Sequence, residues 1–193
     1  MLSTPVFTSS PVRSSSSRAR SAPQLSLPTR LRPHDLLRIT DQGASDVLDG
    51  RFDDILPESG LWPTEERWAT RLHADDDLDV WLISWVPDRS TELHDHAGSI
   101  GALTVLSGSL VESRWAGNEL KIRHLDAGDQ ASFPLGWVHD VVHAPDDTAR
   151  GPTLSVHAYS PPLTAMSYYE VTEHSSLRRT RTELTDEPEG ASK

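Results

Sequence analysis

From Thr70 onward the chain runs as short apolar-rich segments, each closed by a turn signal after about ten residues, and this rhythm limits the fold more than any other feature. Residues 71–74 precede an acidic turn, Asp75-Asp76-Asp77. Residues 78–86 alternate and are rich in Trp, Val and Ile. Residues 101–106 and 110–115 flank Ser107-Gly108, and 119–125 end at Ala127-Gly128-Asp129. Residues 130–133, 138–143 and 153–159 complete the series. Such spacing predicts a mostly β fold, an antiparallel sandwich or barrel. The 193 residues are enough for one domain with a sizeable core.

Ahead of the strands, Leu36, Leu37, Ile39, Val47, Leu48, Phe52 and Ile55 recur at roughly helical spacing. They predict two short N-terminal helices broken near Gly43. Residues 1–32 are rich in Ser, Pro and Arg, with five arginines, no acidic residue and no periodicity. This composition predicts a disordered leader. It also suits a transit peptide, whereas a secretory signal would need an apolar stretch that is missing here. Residues 175–193 are polar and mixed in charge and predict a mobile tail. The expected domain therefore spans 33–174.

The net charge is −11, and −16 once the leader's arginines are set aside. That argues against a nucleic-acid partner, since phosphate binding needs cations to replace its counterions. The absence of cysteine excludes disulfide scaffolds, iron–sulfur clusters and a thiol nucleophile. No apolar run approaches the roughly 18 residues of a membrane span. The expectation is a cytoplasmic monomer without membrane attachment.

The histidines carry the chemistry. His94 and His96, in Leu93-His94-Asp95-His96, project from one face of an extended segment, with Asp95 on the other. Downstream, Gly128, Pro134, Gly136 and His139 form the pattern G-x5-P-x-G-x2-H. With the Gly108 turn between them, these pieces resemble the two motifs of the cupin superfamily. The resemblance implies a double-stranded β-helix (jelly-roll) barrel in which His94, His96 and His139 converge on one metal. Many cupins add a Glu five residues after the second His, but here that position is Gly101. A site of three neutral imidazoles keeps the metal's full charge and leaves positions open for an anionic thiolate and dioxygen. Imidazole suits several metals, so three histidines do not choose one.

Ser155, His157 and Tyr159 share a strand face in Ser155-Val156-His157-Ala158-Tyr159-Ser160-Pro161-Pro162, so a hydroxyl, an imidazole and a phenol can form a relay. This segment, the H-D-H motif and Thr70-Arg71 upstream resemble the cysteine dioxygenase family over about residues 60–170. The resemblance implies one Fe(II) per chain, held by His94, His96 and His139. It implies that L-cysteine chelates through thiolate and amine, and that Arg71 grips its carboxylate with a guanidinium fork. Tyr159, oriented by His157 and Ser155, would hydrogen-bond near the carboxylate and the oxygen, and the product would be cysteine sulfinate.

Three departures stand out. Animal members crosslink the relay tyrosine to a cysteine at the place of Gly101, which is impossible here, although bacterial members often have Gly. They also carry a Tyr where this chain has Ala69. His143 stands at the place of the Asn that closes the second cupin motif, on the same strand face as His139, and is expected to be structural, to support the ligands, or even to compete with them as a ligand. His34, His73, His124 and His174 are expected at the surface. Two alternatives remain open: the same chemistry on 3-mercaptopropionate or cysteamine, or a non-catalytic metal-binding cupin sensor. Mercaptopropionate enzymes generally carry Gln at the arginine position, so Arg71 favours cysteine.

Overall fold

The computed structural model describes residues 31–58, 61–147 and 151–188. Residues 1–30 of the expected leader and residues 189–193 of the expected tail lie outside them. One helix, α1 (Pro33–Leu48), is followed by eleven strands among the described residues. These are β1 (Trp68–Ala74), β2 (Asp79–Trp85), β3 (His94–Asp95), β4 (Ile100–Ser107), β5 (Ser109–Trp115) and β6 (Leu120–Asp126). They continue with β7 (Gln130–Phe133), β8 (His139–His143), β9 (Thr153–Ser160), β10 (Ala165–Val171) and β11 (Leu177–Leu184).

The strands form two antiparallel sheets, ordered β1-β2-β9-β4-β7 and β11-β10-β3-β8-β5-β6. Their inner faces meet in one apolar core. Trp81, Ile83, Trp85, Leu103, Val105 and Phe133 come from the first sheet; Leu110, Leu125, Val141, Met166 and Tyr168 come from the second. The outer face of the first sheet is covered by α1, where Leu36, Ala44 and Val47 pack on Val80, Leu82, Ala102, Val156 and Ala158. Strands β2 and β9 are therefore buried along their whole length, on both faces. The β4–β5 turn uses Gly108 at φ +71°, and a Cβ there would lie 2.2 Å from Thr153 Oγ1. Only glycine meets both conditions.

Two expectations need correction. Residues 33–48 are one helix that runs through Gly43, and the chain from Asp49 to Ile55 is a series of turns. Gly43 is a packing residue rather than a breaker. A Cβ on it would come within 3.0 Å of Val156 Cγ1, so its absence lets the helix seat on the sheet. The polar stretch after Ser175 is likewise no tail over residues 177–184. It forms β11, paired with β10 from Val171↔Leu177 to Ala165↔Leu184. Arg178 pairs with Glu170, and Arg181 with Glu92 and Glu183. As an exposed edge strand it has no buried face, and so shows no apolar alternation.

Candidate metal centre

One sheet, the six-stranded one, brings three imidazoles together. His94 lies in β3, directly opposite His139 of β8, and His96 follows two residues beyond His94. One ring nitrogen from each lies within 4.8 Å of the others, and all three residues are buried. His94 Nδ1 donates to the Glu92 carbonyl at 2.8 Å. His139 Nδ1 donates to Glu112 Oε1 at 3.0 Å. With Nδ1 protonated in both, Nε2 keeps a lone pair, the form in which imidazole binds metals. His139 Nε2 is buried and has no hydrogen-bond partner among the described residues, an arrangement that costs free energy unless something ligates it. The donor set fits a divalent metal ion.

Glu112, on β5, was not singled out by its motif context, and its partner lies 27 residues away. The available signal was its parity with Leu110, which marks an inward position for a charged residue. Burial pushes its carboxyl up. The hydrogen bond from His139, the Trp137 N–H and the charge of Arg123 outweigh that, so its pKa lies below the ordinary range. Asp95 points away from the cluster, accepting from Ala97 N at 2.9 Å and from Tyr169 Oη at 2.6 Å. Burial and the Asp95 bond hold the Tyr169 phenol above its usual pKa. Asp140, next to His139, accepts from Thr91 N and Oγ1 at 2.9 and 2.7 Å, which ties the loop before His94 to β8.

The relay lies on the opposite sheet. Trp85 Nε1 donates to Ser155 Oγ at 2.8 Å, Ser155 Oγ lies 2.9 Å from His157 Nε2, and His157 Nδ1 lies 3.1 Å from Tyr159 Oη. All three relay residues are fully buried. Trp85 can only donate. If Ser155 then donates to His157 Nε2, His157 Nδ1–H donates to Tyr159 Oη. The Tyr159 ring lies 4.9 Å from the His96 ring, and Phe133 stacks on His96 at 5.7 Å.

Arg71 stands on β1 opposite Trp81 of β2, which stands opposite His157 of β9. The three side chains thus share the inner face, and Arg71 is two strand spacings, about 10 Å, from His157. Its guanidinium lies over the Trp81 ring at 4.4 Å. His143 is not part of the cluster: its Nε2 faces Asp147 at 3.5 Å.

A two-sheet barrel with a buried three-histidine cluster on its inner face defines a cupin able to hold a metal ion. No helix among the described residues is long and apolar enough to cross a membrane. The family described as cysteine dioxygenase type I matches residues 64–172, and the chain belongs to that family. Among solved structures it is similar to an uncharacterized double-stranded β-helix protein from Klebsiella pneumoniae, with 19% identity, 70% of this chain and 94% of that one covered, and a TM-score of 0.43. It is also similar to the polyketide cyclase RemF from Streptomyces resistomycificus, with 17% identity, 63% and 84% covered, and a TM-score of 0.49. A cupin superfamily protein from Desulfitobacterium hafniense matches at 15% identity, 54% and 88% covered, and a TM-score of 0.42.

Proposed function

We propose that the protein is an iron(II) cysteine dioxygenase that converts L-cysteine and O2 to cysteine sulfinate. The observation that carries this reading is the position of Tyr159, whose ring borders His96 while its hydroxyl is held by His157. A protein that only bound metal would have no use for a buried relay ending beside the cluster. Ferrous iron held by His94, His96 and His139 would supply the redox chemistry that carries dioxygen to sulfur. Tyr159 holds a hydroxyl hydrogen at Oη toward the substrate, and Ser155 and Trp85 fix the orientation of His157 behind it. Arg71, on the same face, is the cation available for the substrate carboxylate. Phe133, Leu103 and Trp81 keep the surroundings apolar, which strengthens each polar contact within. On this reading the partners are a small thiol and O2, and the protein acts as a cytoplasmic monomer without nucleic-acid or membrane partners.

The test is oxygen uptake by the iron(II)-loaded protein, offered L-cysteine, 3-mercaptopropionate and cysteamine in parallel, with products identified by mass. Uptake with cysteine coupled to about one sulfinate per O2 is expected, as both oxygen atoms enter the product. Faster turnover of another thiol would keep the chemistry and reassign the substrate. No uptake with any thiol, despite bound iron, would leave a binding cupin.

A further inference from the structure

Beyond β11 the chain turns back toward the barrel rim. Thr185 N donates to the Thr164 carbonyl at 3.1 Å. The next residue meets Arg71: Nη2 donates to the Asp186 carbonyl at 3.1 Å and lies 3.4 Å from Asp186 Oδ2. On the other side of the guanidinium, Nε lies 3.7 Å from Asp79 Oδ1. The two carboxylates differ in freedom. The Asp79 side chain is 4% exposed, opposite Tyr159 in register, and burial raises its pKa despite Arg71. The Asp186 side chain is 78% exposed. Asp79 is therefore a fixed counter-ion, and Asp186 one that can leave.

We propose that Asp186 is an internal occupant of the carboxylate subsite at Arg71, which a substrate carboxylate must displace. This rests on Arg71 being the residue that binds the substrate carboxylate. Both anions seek the same donors, and the free guanidinium is already shared. The C-terminal segment thus acts on specificity: it raises the concentration at which a carboxylated thiol binds and leaves a thiol without a carboxylate untouched. An ion pair this exposed is weak and screened, so the effect is a few-fold rather than a block.

The experiment compares the iron(II)-loaded full chain with Asp186→Asn, with Glu187→Gln as a neighbour carrying the same charge change. Asp186→Asn is expected to lower KM for L-cysteine by about two- to fivefold with kcat little changed, and to leave KM for cysteamine unaltered. In iron-free protein, phenylglyoxal should modify Arg71 faster in Asp186→Asn than in the parent, and propionate should slow it. An unchanged KM and modification rate, or an equal effect of Glu187→Gln, would overturn the proposal. If Arg71→Gln alters cysteine and cysteamine alike, the carboxylate role of Arg71 itself falls. If cysteine is not turned over at all, the Arg71 modification rates alone decide whether Asp186 shields it.

Discussion

Gly101 of β4 and Tyr159 of β9 stand directly opposite each other, so close that a Cβ on Gly101 would lie 3.2 Å from two Tyr159 ring carbons and 2.9 Å from Phe133 Cδ2. The space in front of Gly101 is filled by two aromatic rings. Gly101→Ala would force Phe133 away from His96. Overpacking of this kind costs about 1–3 kcal/mol. A fall of that size in the unfolding free energy from urea titration is expected, with a lower midpoint, and an unchanged value would show that the rings yield freely.

Loss of His139 removes a ligand, and His139→Ala or His94→Ala should abolish iron retention. Glu112→Gln keeps the acceptor and the volume but removes the charge behind His139. Changes to such supporting contacts typically cost 10–100-fold in metal affinity. Chelator competition should show about tenfold weaker iron binding, and unchanged affinity would mean that Glu112 serves packing alone.

Ser155 satisfies two buried groups at once, Trp85 Nε1 and His157 Nε2. Ser155→Ala removes both of these hydrogen bonds and leaves Trp85 Nε1 without its acceptor. Each buried unsatisfied group costs about 1–3 kcal/mol, so thermal melting should show a clear loss of stability even in metal-free protein. Tyr159→Phe, by contrast, should keep iron content and lower kcat. A Tyr159→Phe protein with parental kcat would remove the hydroxyl from the reaction.

Arg71→Gln replaces a charge-assisted contact with a neutral one. Hydrogen bonds to charged groups contribute about 1.5–3 kcal/mol, so kcat/KM for L-cysteine should fall roughly tenfold or more. Turnover of cysteamine, which has no carboxylate, should stay within about twofold, a change too small to reflect a lost contact of that size. Equal losses on both would point to Arg71 holding the sheet through Trp81 and Asp79 instead.

The strands that build the barrel were legible because their inner residues are apolar and their outer ones face either the helix or water. The buried β2 showed as dense Trp, Val and Ile, and β9 as a short run of Leu154, Val156, Ala158 and Tyr159 among small polar residues. Strands β10 and β11 escaped notice: β11 buries almost nothing, and its ion pairs to Glu170, Glu92 and Glu183 leave no period in the sequence. Gly43 misled because a glycine that ends a helix and one that lets it approach a sheet read alike until Val156 is placed against it. At the site, the His94/His96 pair and the relay could be read from spacing within single extended segments, and His139 from the glycine and proline pattern ahead of it. Glu112, Trp85 and Asp186 could not, since each meets its partner across a distance set only by the folded sheets.

The imidazole cluster and the relay are carried by different sheets, joined across the core by side chains rather than by backbone hydrogen bonds. On the proposed reading, a change in β3 or β8 would alter what ion is held, and a change in β1, β2 or β9 what is brought to it. The two can therefore vary separately under selection. On that reading, one lineage could exchange its preferred thiol without relearning how to keep its metal.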